Sequence, residues 1–241
     1  VESAGLSALT QMEYGIRRAL DLETVSDRTV LKAARQTADV NREIIRRIWN
    51  GEENFDECIE LPEVVSFISE KTPRLFRMYE AVLNRFCRDG NLEAARANPR
   101  EWRIPGSMAF MNALREKGCR NYFVTGAVIE ENGGMYEEIL TLGYDVGEGC
   151  QVEAVLGSSW DRKIPKEVLI RSLFERTDFR PRETLFIGDG RTEIQTGIAL
   201  GGVTMSRLDR NATRQREIHR ELGTHYIVED FTSPMLEMLL R

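Results

Sequence analysis

From Pro105 onward the chain alternates short apolar runs with stretches of helical periodicity, and this alternation constrains the fold more than any other feature. Residues 121–125 (NYFVT), 152–155, 185–188, 202–205 and 226–228 read as strands. Helices are expected over 106–117, 137–142, 165–177, 193–200, 210–222 and 234–240. Gly118 stands where a glycine ends a helix, and Pro165 where a proline starts one. Strands that are apolar throughout and alternate with helices indicate a parallel sheet covered on both faces. The expected class is therefore α/β, with a Rossmann-like, doubly wound parallel sheet.

The chain before Asn98-Pro99 has a different character. Leu6, Leu9, Met12, Ile16 and Leu20 recur at helical spacing. Asp27 is placed to N-cap one helix that runs to Trp49, with Val30, Ala34, Ala38, Ile45 and Ile48 inward. Residues 61–86 form a further helical region, with an interruption expected near Thr72-Pro73. No run here reads as a strand, so this part is expected to be a small helical bundle. No internal repeat or low-complexity linker is visible.

Composition narrows the functional classes. The 241 residues, 41% hydrophobic and 30% charged, suffice for one large or two smaller domains. A net charge of -6 argues against nucleic-acid or anionic-membrane binding, which needs clustered Lys and Arg. No apolar run approaches the ~18 residues of a membrane span. The opening VESAGLSALT lacks a basic segment followed by an apolar one, so no signal peptide is expected. Cys58, Cys87, Cys119 and Cys150 form no C-x-x-C pair. They are expected to be reduced, buried small hydrophobes in a cytoplasmic protein. His219 and His225 have no third ligand at useful spacing, so no metal role is expected for them.

In an open parallel sheet, ligands bind beyond the carboxyl ends of the strands. The YFV strand delivers Thr125-Gly126-Ala127 there, and the LFI strand delivers Gly188-Asp189-Gly190, followed by Glu193. The helix between them opens Ile164-Pro165-Lys166. One end of the sheet thus gathers a hydroxyl, a cation and two carboxylates. A hydroxyl with neighbouring backbone N–H groups can hold phosphate oxygens, a lysine can neutralise phosphoryl charge, and carboxylates can hold Mg²⁺. Each residue alone has a plainer reading: a strand end, a solvated lysine, a turn aspartate, a first-turn helix acid. Their order and spacing together favour a phosphoryl site.

From Arg103 to the C-terminus the chain resembles the haloacid dehalogenase-like hydrolase superfamily. "YFVTGA" is similar to that family's second motif at Thr125, "KIPKEVLIRSLF" to its third, and "GDGRTE" to its fourth, with Glu193 in the last acidic place. The lead-in "IPGSMAFMNALREKGCRNYFVTG" and the ending "GTHYIVEDFTSPMLEML" agree. Two lysines compete for the third motif. Lys166 lies 22 positions before Gly188 and Lys163 lies 25, and Lys166 is favoured because Ile164 breaks the proline pattern that would suit Lys163.

The resemblance implies a domain plan of 1–4 as the start of a core, 5–100 as a helical C1-type cap, and 101–241 as the Rossmann-like core. It implies Mg²⁺-dependent hydrolysis of a phosphomonoester of a small metabolite, a sugar phosphate being one option, through an aspartyl-phosphate. Thr125 and Lys166 would be catalytic, with Thr125, Gly126 and Lys166 on phosphate and Asp189 and Glu193 on the metal. Arg42, Arg46, Arg74 and Arg77 of the cap are read as solvated helix arginines. The departure is the first motif. No D-x-D-G stretch occurs in the chain, while "VESAG" resembles the usual continuation of that motif. The nucleophile is therefore expected upstream of Val1, in a longer polypeptide that could be multidomain. Its strand would be central in the sheet, between those leading to Thr125 and Asp189. A phosphomutase on the same scaffold, or a non-catalytic module that binds a ligand or partner, are the alternatives.

Overall fold

A computed structural model describes residues 8–49, 55, 57–129, 134–159 and 164–239. The chain divides into two compact units, Val1–Arg88 and Asp89–Arg241.

In the first unit every described element is helical. Helices α1 (Ala8–Asp21), α2 (Arg28–Gln36), α3 (Ala38–Trp49) and α4 (Pro62–Leu83) are followed by a π-helical turn over Asn84–Arg88. Asp27 caps α2 as expected, its carboxylate accepting from the N–H groups of Thr29 at 3.0 Å and Val30 at 3.1 Å. The single helix anticipated from Asp27 to Trp49 is two helices, because the backbone leaves helical geometry at Thr37. That break resets the phase of α3. Ile48 is fully buried as expected, but its partner on the inward face is Ile44, one residue before the expected Ile45, which is half-buried. Burial of each such side chain stabilises by about 1.5–3 kcal/mol. Conversely, α4 is not interrupted at Pro73 but runs through it. Pro73 lacks the N–H that the Ser69 carbonyl would otherwise receive. Its packing lies before the proline: Val64 and Ile68 join Ile16, Leu20, Val30, Ala33 and Ala34 in one core, and no residue of α4 from Pro73 onward is buried.

The second unit begins with α5 (Asp89–Ala97), α6 (Pro99–Trp102) and α7 (Ser107–Glu116), and then alternates. Its strands are β1 (Tyr122–Val128), β2 (Ala154–Ser158), β3 (Leu185–Gly188), β4 (Val203–Arg207) and β5 (Tyr226–Val228). Its later helices are α8 (Gly134–Thr141), α9 (Lys166–Arg176), α10 (Arg191–Leu200), α11 (Thr213–Glu221) and α12 (Pro234–Leu239). Every pairing is parallel, so the unit is an α/β domain. The strands form two sheets, β1-β2 and β3-β4-β5. Among the described residues β1 pairs only with β2, and β3 only with β4. Each therefore has one edge with no described strand against it.

One helix serves both sheets. From α7, Phe110 and Leu114 pack into the core over β3, β4 and β5, while Met108 and Met111 pack into the core over β1 and β2. The entry to α7 demands glycine. Gly106 has φ +77°, and a Cβ there would stand 2.5 Å from the backbone carbonyl of Phe231. Helix α10 lies unusually close to its sheet at Gly197, where a Cβ would meet Thr204 at 2.7 Å and Phe186 at 2.8 Å. That approach fixes how the first turn of α10 meets the end of β3. Among the described residues no helix is long and apolar enough to cross a membrane.

Candidate functional site

Strand β3 ends at Gly188, paired with Ser206 of β4, and the chain turns through Asp189 and Gly190 into α10. Asp189 is exposed and has no hydrogen-bond or ion-pair partner among the described residues. Glu193 sits in the first turn of α10, where a carboxylate complements the helix dipole. Its side chain folds back over the glycines. A Cβ on Gly190 would lie 2.5 Å from Glu193 Oε2, and one on Gly188 would lie 3.0 Å from its Cγ. The glycines around Asp189 thus occupy the positions where any side chain would displace Glu193.

Glu193 Oε1 accepts a hydrogen bond from Lys166 Nζ in a partly buried ion pair, the side chains being 12% and 29% exposed. Glu193 Oε2 is buried without a partner among the described residues. Lys166 is the first residue of α9, which packs against β1, β2 and α10. The lead into α9 is held by Ser158, a residue that motif spacing does not single out. Ser158, at the end of β2 and 3% exposed, accepts from the Ile164 N–H at 3.0 Å and donates to the Gly126 carbonyl at 3.2 Å. It ties the Gly126 segment to the chain that presents Lys166. The one sequence signal for it is a serine closing the apolar run AVLGS. Lys163 lies outside the described residues.

Thr125 and Gly126 do not end β1. The strand continues to Val128, and its register against β2 shifts between Val124 and Val128. That shift takes Thr125-Gly126-Ala127 out of the regular ladder. Thr125 Oγ1 accepts from the Ala127 N–H at 3.1 Å, which leaves the hydroxyl proton free to be donated. No atom lies within 4 Å of where a Gly126 Cβ would be, so that turn is open. The structure joins Lys166 to Glu193 directly and Gly126 to the α9 lead through Ser158; no bond joins Thr125 or Asp189 to that pair among the described residues.

The described residues contain no group of three or more His, Cys, Asp or Glu side chains arranged for a metal. Mg²⁺ does not require one, being commonly held by one or two carboxylates with retained waters. The unpartnered Asp189 and the orphaned Glu193 Oε2 have the donor chemistry for that ion.

His219 of α11 is 2% exposed, with Nδ1 2.8 Å from Ser206 Oγ. Burial, and then the Arg191 charge, hold its imidazole below the ordinary range, while Glu193 and Asp189 pull the other way. His219 is therefore within electrostatic reach of the acidic turn. His225 Nδ1 lies 2.8 Å from Thr204 Oγ1. All four cysteines are free, but none is buried as expected: Cys58 and Cys150 are half-buried, while Cys87, in the π-helical turn, and Cys119, just past the glycine that ends α7, are exposed. Arg42 pairs with Asp21 and Asp39, Arg46 pairs with Glu43, and Arg74 and Arg77 are exposed. No protein-family model, curated protein or solved structure matches this chain.

Proposed function

We propose that the α/β unit belongs to a Mg²⁺-dependent phosphatase of small phosphorylated metabolites, of the haloacid dehalogenase-like kind, with the helical unit as its cap. The observation that carries this reading is the Lys166–Glu193 pair, formed across 27 residues beside the unpartnered Asp189. A cation and two carboxylates at the carboxyl end of β3 match what phosphoryl transfer requires. In this reading Lys166 neutralises charge on the phosphoryl group, and the Thr125 hydroxyl with the Gly126 segment holds its oxygens. Asp189 and Glu193 would hold Mg²⁺, which when bound offsets the negative charge of the phosphoryl oxygens.

The attacking carboxylate is not among the 241 residues as a D-x-D-G motif. In this reading it is an aspartate on a strand preceding Val1, and a second aspartate there acts as general acid and base. The edges of β1 and β3 that have no strand against them among the described residues support it. A parallel strand between them would satisfy both sets of backbone groups and complete one doubly wound sheet.

The test is phosphate release by the complete protein from a panel of sugar phosphates and p-nitrophenyl phosphate, with Mg²⁺ and with chelator. Mg²⁺-dependent release is expected. Isomer formation without release would make the enzyme a mutase. Neither activity, together with no D-x-D encoded upstream of Val1, would overturn the proposal.

A further inference from the structure

The groups assigned to the phosphate come from separate elements: Thr125 and Gly126 from the turn within β1, and Lys166 from the start of α9. Both parts meet at the end of β2. Gly157 lies so close to the turn that a Cβ on it would stand 2.7 Å from the Ala127 carbonyl oxygen, 2.4 Å from Ile129 Cγ2 and 3.1 Å from Thr125 Cγ2. Its φ is not in the left-handed region, so close approach and not backbone conformation requires the glycine.

Ser158, the next residue, is bonded to both parts. Its backbone carbonyl accepts from the Ile129 N–H at 3.1 Å, just past the turn. Its buried hydroxyl accepts from the Ile164 N–H at 3.0 Å and donates to the Gly126 carbonyl at 3.2 Å, with the Ile164 carbonyl a longer alternative at 3.5 Å. One hydroxyl thus serves as acceptor for the lead into α9 and as donor to the turn, and an alanine would remove both bonds together. Pro165 follows Ile164 directly, and its ring fixes φ near -57°, so the place of Ile164 is passed on to Lys166.

We propose that Gly157 and Ser158 are positioning residues for the phosphate: they hold the Thr125-Gly126 turn and the Lys166 end of α9 at one separation, so that a single phosphoryl group meets both. The assignment rests on the phosphatase reading and extends it to two residues that act through Gly126 and Lys166 rather than on the phosphate itself. Such residues matter because a displacement of about 1 Å in a site of this kind can cost about a hundredfold in rate.

The test is the affinity of the complete protein for inorganic phosphate in the presence of Mg²⁺, read by calorimetry, beside its kcat/KM. Ser158→Ala should weaken phosphate binding about tenfold and lower kcat/KM by about ten- to a hundredfold. Ser158→Thr keeps the hydroxyl and should bind phosphate more tightly than Ser158→Ala. Ser107→Ala cuts another buried hydroxyl bond of the same unit, to Tyr144 at 2.7 Å, and should lower the melting temperature comparably while leaving phosphate affinity unchanged. Gly157→Ala must push back the Ala127 carbonyl and should also weaken phosphate binding, which keeps the test decisive if Ser158→Ala does not fold. Unchanged phosphate affinity in Ser158→Ala or Gly157→Ala, equal losses in Ser158→Ala and Ser107→Ala, or no gain in Ser158→Thr would overturn the positioning role while the phosphatase reading stands. A wild type that neither binds phosphate nor releases it from any substrate would overturn that reading, and this assignment with it.

Discussion

Arg17–Glu60 and Lys166–Glu193 are both cation–carboxylate pairs made over long separations, 43 and 27 residues, yet they are finished differently. The pair in the helical unit is bidentate, 4% and 7% exposed, and braced by Asn41, which also donates to the Arg17 carbonyl at 3.1 Å. The pair in the α/β unit is a single contact and more open, and among the described residues one of its carboxylate oxygens and the nearby Asp189 have no partner. A saturated pair fixes where helices sit. An unsaturated one keeps ligand capacity in reserve at a cost in local stability.

The largest expected effect tests that reserve. Asp189→Asn in the complete protein should cut Mg²⁺-dependent turnover to below about a tenth of wild type. The fold should be unchanged by circular dichroism, because Asp189 is exposed and bonds to no side chain among the described residues. Turnover above that level would remove Asp189 from the metal role.

Next in size is a stability contrast. Arg17→Met leaves Glu60 buried without its counter-charge and should destabilise the helical unit by about 3–5 kcal/mol in urea unfolding. Lys166→Met breaks a less buried, single-contact pair and should cost less, about 1–3 kcal/mol. Similar losses in both variants would mean that the two pairs are not built for different purposes.

Much of the α/β order was legible because short apolar strands carry their own punctuation. β3 and β5 fall where the pattern put them, and Pro165 and Gly118 flank α9 and α7 as expected. The helical half was less legible. Thr37 carries no strong stop signal, and Pro73 carries one through which α4 nevertheless continues. In the site, Asp189 and Glu193 were visible from spacing, but the fold-back of Glu193 over Gly188 and Gly190 was not, because it depends on backbone direction at the turn. The split of the strands into two sheets also lies beyond periodicity, which reports that a residue is in a strand and not which strand it pairs with.

A smaller effect is expected at Gly190. The three atoms nearest an alanine Cβ there all belong to the flexible end of Glu193, so Gly190→Ala should fold and lose about 1 kcal/mol or less. It should nevertheless push Glu193 aside and weaken Mg²⁺ binding, measured by calorimetry on the complete protein. Unchanged metal affinity would show that the position of Glu193 over the glycines has no bearing on the metal.

The smallest effect lies where burial meets the acidic turn. The folded state holds His219 below its ordinary pKa, chiefly through burial and then through Arg191. The unfolded chain therefore binds the extra proton first. Stability from this residue is complete above about pH 6.5 and is lost as the pH falls through that value toward the lowered pKa. The melting temperature of the wild type should drop more between pH 7.5 and pH 5.5 than that of His219→Gln, which cannot titrate. Glu193 acts in the opposite sense to Arg191, so Glu193→Gln should depress the imidazole further and steepen the acid loss. If Glu193→Gln leaves the acid loss unchanged, the negative end of the Lys166 pair is already neutralised as seen from His219.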